Sequence, residues 1–349
     1  MPNVEAASAA FESNYHNLLS IVLKRMELEL HYHHPGDLEK LEPDLVELFQ
    51  EFGKLLRVVY RHNLTDVLLR EAVWYSSVLS SRGSAQDAFS LLLDSWIIAI
   101  QGLIKPPECD LLTEPLQELR NNLALISEEA KKRPLARPDD NVVRLVNHSI
   151  IGDQSGAEAL LFSLIAQGIK PEELITRYVL SAMVEVGRRW ESNELQIFEE
   201  HLASETIIRL LAGFFARFRP ETTLKRTALI GCVPEDSHQL VTMALATYLE
   251  IKGWRVASLG GSLPAEQFVM AARKIKPDAI FLSLNIVSRL TEALELVSLL
   301  CEAIPDGQVF VGGRGAQAGK RLLEASRAVV VKDFEEAHQL ASGGSSNHA

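Results

Sequence analysis

The sequence has few cysteines, and they share no evident role. Its 349 residues include only Cys109, Cys232 and Cys301, whose scattered positions suit neither a disulfide framework nor a zinc site. No run approaches the roughly 18 uninterrupted apolar residues of a membrane helix, and the first residues lack the basic start and apolar core of a secretion signal. We therefore expect a cytoplasmic protein with no membrane partner.

Positive charge is also scarce. The chain has 35 Lys and Arg residues against 46 Asp and Glu residues, which gives a formal net charge of −11. Nucleic-acid binding rests mainly on clustered Lys and Arg side chains, so we expect no direct nucleic-acid partner. Apolar residues make up 47% of the sequence, which at this length is enough to build the cores of two or three domains.

Residues 1–140 are predicted to form a helical domain. Between about residues 10 and 131 the apolar residues recur at helical spacing, and four interruptions divide this run into five predicted helices. The charged, proline-containing stretch Lys132–Asn141 is typical of a linker. The interruptions are His34-Pro35-Gly36-Asp37, 62–66, 82–84 and 106–108.

Two further domains are predicted, followed by a disordered tail at 342–349. Residues 141–222 have the pattern of four helices, with breaks at 152–156, 168–171 and 192–194. From 223 to 341 short β-rich runs alternate with helical segments, which indicates a parallel sheet whose ligands bind at the carboxyl ends of its strands. The predicted strands are Thr227–Cys232, Arg255–Leu259, Ala279–Leu284, Val309–Val311 and Ala328–Val331.

Asp236 and His238 follow the first predicted strand. An imidazole there can bind a metal while the carboxylate accepts its other N–H and fixes the tautomer, although Asp-x-His alone is more often a helix cap beside a surface histidine. Small residues also end neighbouring strands, at Leu259-Gly260-Gly261 and Gly312-Gly313, with Ser283 between them. Together these strand ends predict a groove for a bulky ligand.

These elements resemble the cobalamin-binding domain shared by methionine synthase, corrinoid methyltransferases and light-responsive repressors of carotenoid genes. The resemblance covers residues 145–340. The family pattern is Asp-x-His-x-x-Gly, then Ser-x-Leu, then Gly-Gly. In this sequence Val241 replaces the glycine of the first element, and Asn285 replaces the leucine of the second. It implies that His238 replaces dimethylbenzimidazole as the lower cobalt ligand, that Asp236 orients it, and that the displaced nucleotide tail enters the groove. The cofactor-binding residues so implied are Asp236, Ser237, Val241, Leu259, Gly260, Gly261, Ser283, Asn285, Gly312 and Gly313.

The preceding helical block extends the resemblance. Trp190 is followed after nine residues by Glu200-His201. This spacing resembles the Trp-x9-Glu-His pattern of light-sensing cobalamin proteins. In those proteins a helical cap covers the upper corrin face and shelters an adenosyl group. Trp190, Glu200 and His201 are therefore implied cofactor-binding residues, since an indole can pack on the adenosyl group and a carboxylate can accept its hydrogen bonds. Those proteins commonly have a histidine directly after the tryptophan. Here Glu191 takes that place, so a bis-histidine light product needs another donor, such as His201, or does not form.

The first 130 residues do not resemble the winged-helix DNA reader of the repressors. Their length and helix count resemble globin-like non-haem sensor domains, and a helical module beside a cobalamin photosensor is similar to the photocobilins, which pair cobalamin with biliverdin. Biliverdin is therefore a second predicted cofactor. The run containing His31, His33 and His34 is more often solvated than metal-binding, and Trp74 and Trp96 are more often core aromatics than part of a cofactor site.

Other functions of a parallel sheet fit less well. Gly313-Arg-Gly315 lacks the third glycine of a dinucleotide fingerprint and follows the fourth strand instead of the first. The sequence also has no Gly-Lys-Ser or Gly-Lys-Thr phosphate loop, and Ser283-Leu-Asn285 offers no phosphoacceptor aspartate.

The predicted protein combines α and α/β domains: an all-α, globin-like bundle, a four-helix cap and a flavodoxin-like parallel sheet. The predicted function is that of a non-enzymatic light sensor that binds adenosylcobalamin and changes conformation or assembly when light cleaves the cobalt–carbon bond. No catalytic residue is predicted, and we expect a homo-oligomer with a separate protein as output partner. The alternatives are a methyl-carrying corrinoid protein and a cobalamin-responsive anti-repressor or scaffold.

Overall fold

A computed structural model describes residues 3–33, 43–81, 85–132, 137–220, 226–305 and 307–343. The chain divides into two compact units. The first comprises Met1–Leu135 and Glu191–Asn193, and the second comprises Ala136–Trp190 and Glu194–Ala349. Within the described ranges no helix has both the length and the apolar character needed to cross a bilayer.

The described part of the first unit is helical, as predicted, but it has six helices instead of five. The predicted last helix is divided at Asn122, whose side-chain amide donates to the carbonyl oxygen of Glu118 at 2.9 Å. The backbone of Asn122 has a φ of −102° and a ψ of 11°, outside the α-helical region, although its N–H still donates to the carbonyl oxygen of Glu118 at 3.1 Å. The helices are α1 (Val4–His33), α2 (Pro43–His62), α3 (Thr65–Ser81), α4 (Ala85–Leu103), α5 (Glu108–Asn121) and α6 (Leu123–Lys132).

Trp96 of α4 lies at the centre of the first unit. Its side chain is fully buried beside the rings of Phe11 and Tyr15 from α1. Gly53 of α2 allows close approach, because a side chain at that position would begin 2.8 Å from the Trp96 ring. Trp96 is therefore a core aromatic residue, the assignment that the sequence favoured.

Some predicted features of the first domain fall outside the described part of the chain. The predicted breaks at 34–37 and 82–84 lie outside the described residues. The same holds for the side chains of His31, His33 and His34. The solvated state that the sequence favours for this histidine run therefore stays a prediction, with metal binding as its alternative.

The second unit begins with helices separated at the predicted breaks. Asp153 caps α8, because its carboxylate accepts the N–H of Gly156 at 2.9 Å and is held by His148 at 2.8 Å. π-Helical turns at Leu174–Val179 and Leu210–Phe214 continue two of the helices, so four continuous helical segments result. Their elements are α7 (Asp140–Ser149), α8 (Gln154–Ala166), α9 (Pro171–Glu173), α10 (Leu180–Glu191) and α11 (Ile197–Arg209).

Five parallel strands then form one sheet in the order β2-β1-β3-β4-β5. All five predicted strands are present, and helices connect them because parallel neighbours require crossover connections. The strands are β1 (Thr227–Cys232), β2 (Arg255–Ser258), β3 (Ala279–Ser283), β4 (Gln308–Gly312) and β5 (Val329–Val330). The helices are α12 (Gln239–Ile251), α13 (Ala265–Ile275), α14 (Leu290–Ala303), α15 (Arg314–Ala318), α16 (Lys320–Ala325) and α17 (Phe334–Gly343).

Helix α17 extends two residues into the predicted tail. The indole N–H of Trp254 donates to Nδ1 of His338 at 3.2 Å, and Arg226 donates to the carbonyl oxygen of Ser342 at 2.8 Å. These bonds fix α17 to the sheet, while residues 344–349 lie outside the described residues.

The carboxyl ends of β1, β3 and β4 lie side by side. Cys232 pairs with Ser283, and Ser283 pairs with Gly312. The loops that follow these three strands therefore begin at one edge of the sheet, where parallel-sheet proteins bind their ligands.

Candidate functional site

Asp236 and His238 form a hydrogen-bonded pair after β1. The Asp236 carboxylate is fully buried, and its Oδ1 lies 2.8 Å from Nδ1 of His238 and accepts the His238 main-chain N–H at 3.0 Å. The His238 side chain is 55% exposed. Because Nδ1 is engaged by the carboxylate, Nε2 carries the lone pair that a metal ion would take.

The pair is also coupled electrostatically. Its hydrogen bond raises the pKa of His238 above the ordinary value, against the opposing effect of burial. Burial disfavours ionisation of Asp236, but bonds from His238 and from the main chain of Asn285 outweigh it and hold the pKa of Asp236 below the ordinary value. An ionised carboxylate behind an imidazole increases the basicity of the ligand nitrogen.

Asp236 also joins three loops of the sheet edge. Its Oδ2 accepts the main-chain N–H of Asn285, after β3, at 3.0 Å. Its carbonyl oxygen accepts the main-chain N–H of Ser262, after β2, at 3.1 Å. The buried aspartate therefore fixes the loops after β1, β2 and β3 to one another, and this rigidity sets the orientation of His238.

Glycines lie at the strand ends beside this pair, as predicted. A side chain at Gly261 would begin 3.3 Å from the carbonyl oxygen of Asp236, and one at Gly313 only 2.4 Å from that of Leu284. Gly313 also has a φ of +111°, a backbone conformation that would be strained for any residue other than glycine. Gly313 is thus required by the packing of the loop after β3, and a side chain at Gly261 would crowd the main chain of Asp236.

The other predicted cofactor-binding residues lie along the same sheet edge. Ser283 is buried at the end of β3, and its hydroxyl oxygen accepts a bond from the Asn285 side chain at 3.0 Å. Val241 is half-buried in the first turn of α12, where the family pattern has glycine. The predicted residues that are partly or fully exposed here are Ser237, Val241, Leu259, Gly260, Gly261, Asn285, Gly312 and Gly313.

The predicted cap residues lie in α10 and α11. Trp190 is half-buried in the last turn of α10. Glu200 and His201 lie in the first turns of α11, where His201 is 74% exposed and its Nδ1 lies 3.0 Å from the Glu200 carboxylate. After the bond from Asp236, the Glu200 charge also raises the pKa of His238. The predicted cap and lower-ligand residues are thus close enough for their charges to interact.

Glu191 takes the place where the light-sensing family commonly has histidine. It clusters with the first unit, and its carboxylate accepts the indole N–H of Trp74 at 2.6 Å. Its carbonyl oxygen lies 2.6 Å from the Ser81 hydroxyl. Trp74 is half-buried and bonded through its polar edge, unlike the fully buried Trp96.

Arg289 belongs to this site, although no sequence motif identifies it. Its side chain is only 6% exposed and donates to the carbonyl oxygen of Glu235 at 3.1 Å. Its positive charge partly offsets the rise in the pKa of His238 that the bond with Asp236 produces. A lone arginine after a strand gives no spacing pattern, so only the folded structure identifies it.

A buried charge cluster next to Trp190 is a second feature that sequence reasoning missed. The Glu185 carboxylate is buried and accepts bonds from Arg188 at 2.8 Å and from Arg189 at 2.7 Å. Arg188 also binds the Glu194 carboxylate at 2.9 Å. The cluster therefore fixes the chain on both sides of Trp190, and only the burial of Glu185 distinguishes it from an ordinary charged helix surface.

One imidazole alone does not hold a metal ion. Among the described residues, no group of three or more His, Cys, Asp or Glu side chains is arranged to bind one. A metal at His238 would therefore need most of its ligands from outside the described residues, whereas bare transition metals in proteins take several side-chain ligands. A corrinoid satisfies this condition, because its macrocycle already holds the cobalt.

Comparison with known proteins defines the class of this fold. Two family profiles, each described as a B12 binding domain, match residues 143–212 and residues 226–341. The first match covers most of the helical part of the second unit, and the second covers the sheet. The second unit is therefore a flavodoxin-like B12-binding fold with a helical cap, as predicted, and the matches support cobalamin as the cofactor.

Individual relatives match the same part of the chain. The HTH-type transcriptional repressor CarH of Myxococcus xanthus is 30% identical over 192 residues, which are 54% of this chain and 62% of CarH. Trimethylamine corrinoid protein 1 of Methanosarcina mazei is 30% identical over 166 residues, which are 46% of this chain and 76% of that protein. The chain belongs to the B12-binding protein family.

A solved structure shows the same fold. The monomethylamine corrinoid protein of Methanosarcina barkeri aligns over 58% of this chain and 97% of its own, with a TM-score of 0.50 and 17% identity. At this identity the likeness concerns the fold alone.

Proposed function

We propose that this protein is a cobalamin-dependent light sensor that binds adenosylcobalamin with its nucleotide base detached and with His238 as the lower cobalt ligand. The observation that carries the proposal is the buried Asp236 carboxylate bonded to an exposed imidazole. The spacing of Trp190 and Glu200, and the effect of Glu200 on His238, support a cap over the opposite face of the cofactor. Bound adenosylcobalamin supplies a cobalt–carbon bond that light cleaves.

The residues of the sheet edge would hold the cofactor from below. Asp236 would keep the proton on Nδ1 of His238, so that the lone pair of Nε2 stays directed toward the metal. The groove beside Gly260, Ser283 and Gly313 would take the detached nucleotide tail.

The cap would convert loss of the upper group into a change of conformation. Glu185, Arg188 and Arg189 fix the last turn of α10, so Trp190 is presented from a rigid support. Departure of the adenosyl group would remove the surface against which the indole packs. A signal then arises because the lit and dark states differ in stability, which shifts the population between two conformations or assemblies.

The test loads the protein with adenosylcobalamin in the dark and compares absorption and size-exclusion elution before and after illumination. We expect spectrum and oligomeric state to change together. Because free adenosylcobalamin is also photolysed, elution is the decisive signal, and a Trp190→Ala variant should keep the spectral change while losing the change in size. Identical light and dark elution profiles of the parent protein would refute light signalling.

The way in which the sensor passes on its signal is a separate part of the proposal. The likeness to CarH, a transcriptional repressor, supports a non-enzymatic protein, which we propose signals through its own assembly and a separate protein partner. A cobalamin-responsive anti-repressor or scaffold is the related alternative. It predicts that adding the ligand changes partner affinity while light has no effect.

A methyl-carrying corrinoid protein is the second candidate. The 30% identity across 76% of the Methanosarcina mazei trimethylamine corrinoid protein favours it. In that case the reduced, cobalamin-loaded protein should accept a methyl group from a simple donor such as iodomethane and return it to a thiol acceptor. The light sensor should instead respond to illumination in the adenosylated form without methyl turnover.

Biliverdin is proposed as a second chromophore on the basis of the helical architecture of the first unit. A cavity there has a volume of about 230 Å³ and is lined by residues that include Tyr60, Asn63 and Leu112. Pockets for drug-sized ligands typically measure roughly 300–1,000 Å³, so this cavity would have to widen for a linear tetrapyrrole. Protein purified after supplying biliverdin should show a bilin absorption band, and its absence would rule out this part of the proposal.

A further inference from the structure

Asn285 carries a polar side chain where the family pattern has leucine. Its Nδ2 donates to the hydroxyl oxygen of Ser283 at 3.0 Å. Its Oδ1 lies 2.9 Å from the point where a side chain on Gly313 would begin. The carboxamide is therefore located between the ends of β3 and β4, where the groove is predicted.

The carboxamide has hydrogen-bonding capacity that no other described residue uses. An asparagine amide offers two N–H donors and one carbonyl acceptor, and among the described residues the side chain of Asn285 bonds only to Ser283. Asn285 is half-buried, so part of its side chain is open to solvent beside the strand ends where the groove is predicted. A ligand that enters here and leaves these groups unpaired would bind less tightly, because desolvated polar groups without partners are costly.

The unused donor and acceptor match one class of nucleotide base. Asparagine recognises adenine with two hydrogen bonds, to the amino group and to the neighbouring ring nitrogen. Dimethylbenzimidazole presents two methyl groups and a ring nitrogen and has no amino group to donate. Leucine at this position would suit the methyl-bearing base, whereas asparagine suits the adenine edge.

We propose that Asn285 makes this groove select corrinoids whose lower nucleotide carries adenine over those that carry dimethylbenzimidazole. The inference rests on the proposed function, because the detached tail must enter the groove. Ser283 is the positioning residue, since its bond to Nδ2 fixes the plane of the carboxamide.

The test compares the parent protein with Asn285→Leu, which restores the family residue. The variant keeps the main-chain N–H that donates to Asp236 at 3.0 Å and loses only the carboxamide. Dissociation constants are measured in the dark for an adenine-based cobamide, for cobalamin and for cobinamide, which lacks the nucleotide. We expect the affinity ratio of the adenine form to cobalamin to fall about tenfold in the variant, the effect of losing one to two net hydrogen bonds, with cobinamide affinity unchanged.

A second variant separates recognition from packing. Asn285→Asp keeps the shape of the side chain but has no N–H to donate, so it should lose the same preference. An unchanged ratio in both variants would overturn the inference, as would an equal loss for all three ligands, which would indicate a packing role. If the parent protein bound none of the three corrinoids, the proposed function itself would fail, and the tail preference with it.

Discussion

Replacing Asp236 with asparagine is expected to weaken cobalamin binding by about 10- to 100-fold, the usual effect of altering a partner behind a metal-binding histidine. The carboxylate accepts three bonds: two from His238 at Oδ1 and one from the Asn285 main chain at Oδ2. An asparagine has only one oxygen. If its nitrogen faced Asn285, two N–H groups would oppose each other. If it faced His238, the imidazole proton would move to Nε2 and the metal would lose its ligand.

Either orientation sacrifices at least one buried hydrogen bond, at a cost of about 1–3 kcal/mol, which agrees with the expected loss of affinity. Titration with cobalamin in the dark measures the effect. Asp278→Asn is the matched control, because Asp278 also accepts a main-chain N–H, that of Thr227 at 2.7 Å, but at the opposite end of β1. Equal affinity of the Asp236 variant, the Asp278 variant and the parent protein would refute the role of Asp236.

Two further predictions concern stability. Glu185→Leu should lower the free energy of unfolding by about 3 kcal/mol, because it leaves two arginines without their buried partner. Glu205→Leu is the control: it breaks an exposed pair with Arg209 and should cost less than about 1 kcal/mol. Similar urea midpoints for the two variants would contradict the value for Glu185. Burial and the charge of Lys252 hold the pKa of His338 below its ordinary value of 6.5. The neutral form of His338 therefore stabilises the fold at a pH above 6.5, and this stabilisation is lost as the pH falls below that value and through the lower pKa of the folded state. The urea midpoint should drop less between about pH 8 and about pH 5 in His338→Gln than in the parent protein, and parallel profiles would count against this role.

The strands were predictable because buried parallel strands appear as short continuous apolar runs. Thr227–Cys232 and Ala279–Ser283 are both examples, and both are buried along nearly their whole length. The division at Asn122 was not predictable, because the apolar periodicity continues across it while the backbone of this one residue leaves the α-helical region. The π-helical turn at Leu174–Val179 escapes detection for a similar reason, since one extra residue in a turn barely alters the pattern.

The site was predictable only where its contacts are local. Asp236 and His238 are two residues apart, so the bond between them follows from the spacing and the strand end. The bond from Asn285 to Asp236 spans 49 residues and depends on the order of strands in the sheet. Arg289 and Glu185 gain their roles from burial and from the partners that the fold brings to them, and a single charged residue in a sequence indicates neither.

The most direct test of the account is the absorption spectrum and affinity of cobalamin bound to the His238→Ala variant. The account predicts that the parent protein shows the spectrum of histidine-ligated cobalamin, and that the variant binds much more weakly, with the colour of cobalamin that lacks a nitrogen ligand from below. An alanine variant that holds the cofactor as tightly as the parent, with an unchanged spectrum, would contradict the central claim that this imidazole is the lower ligand.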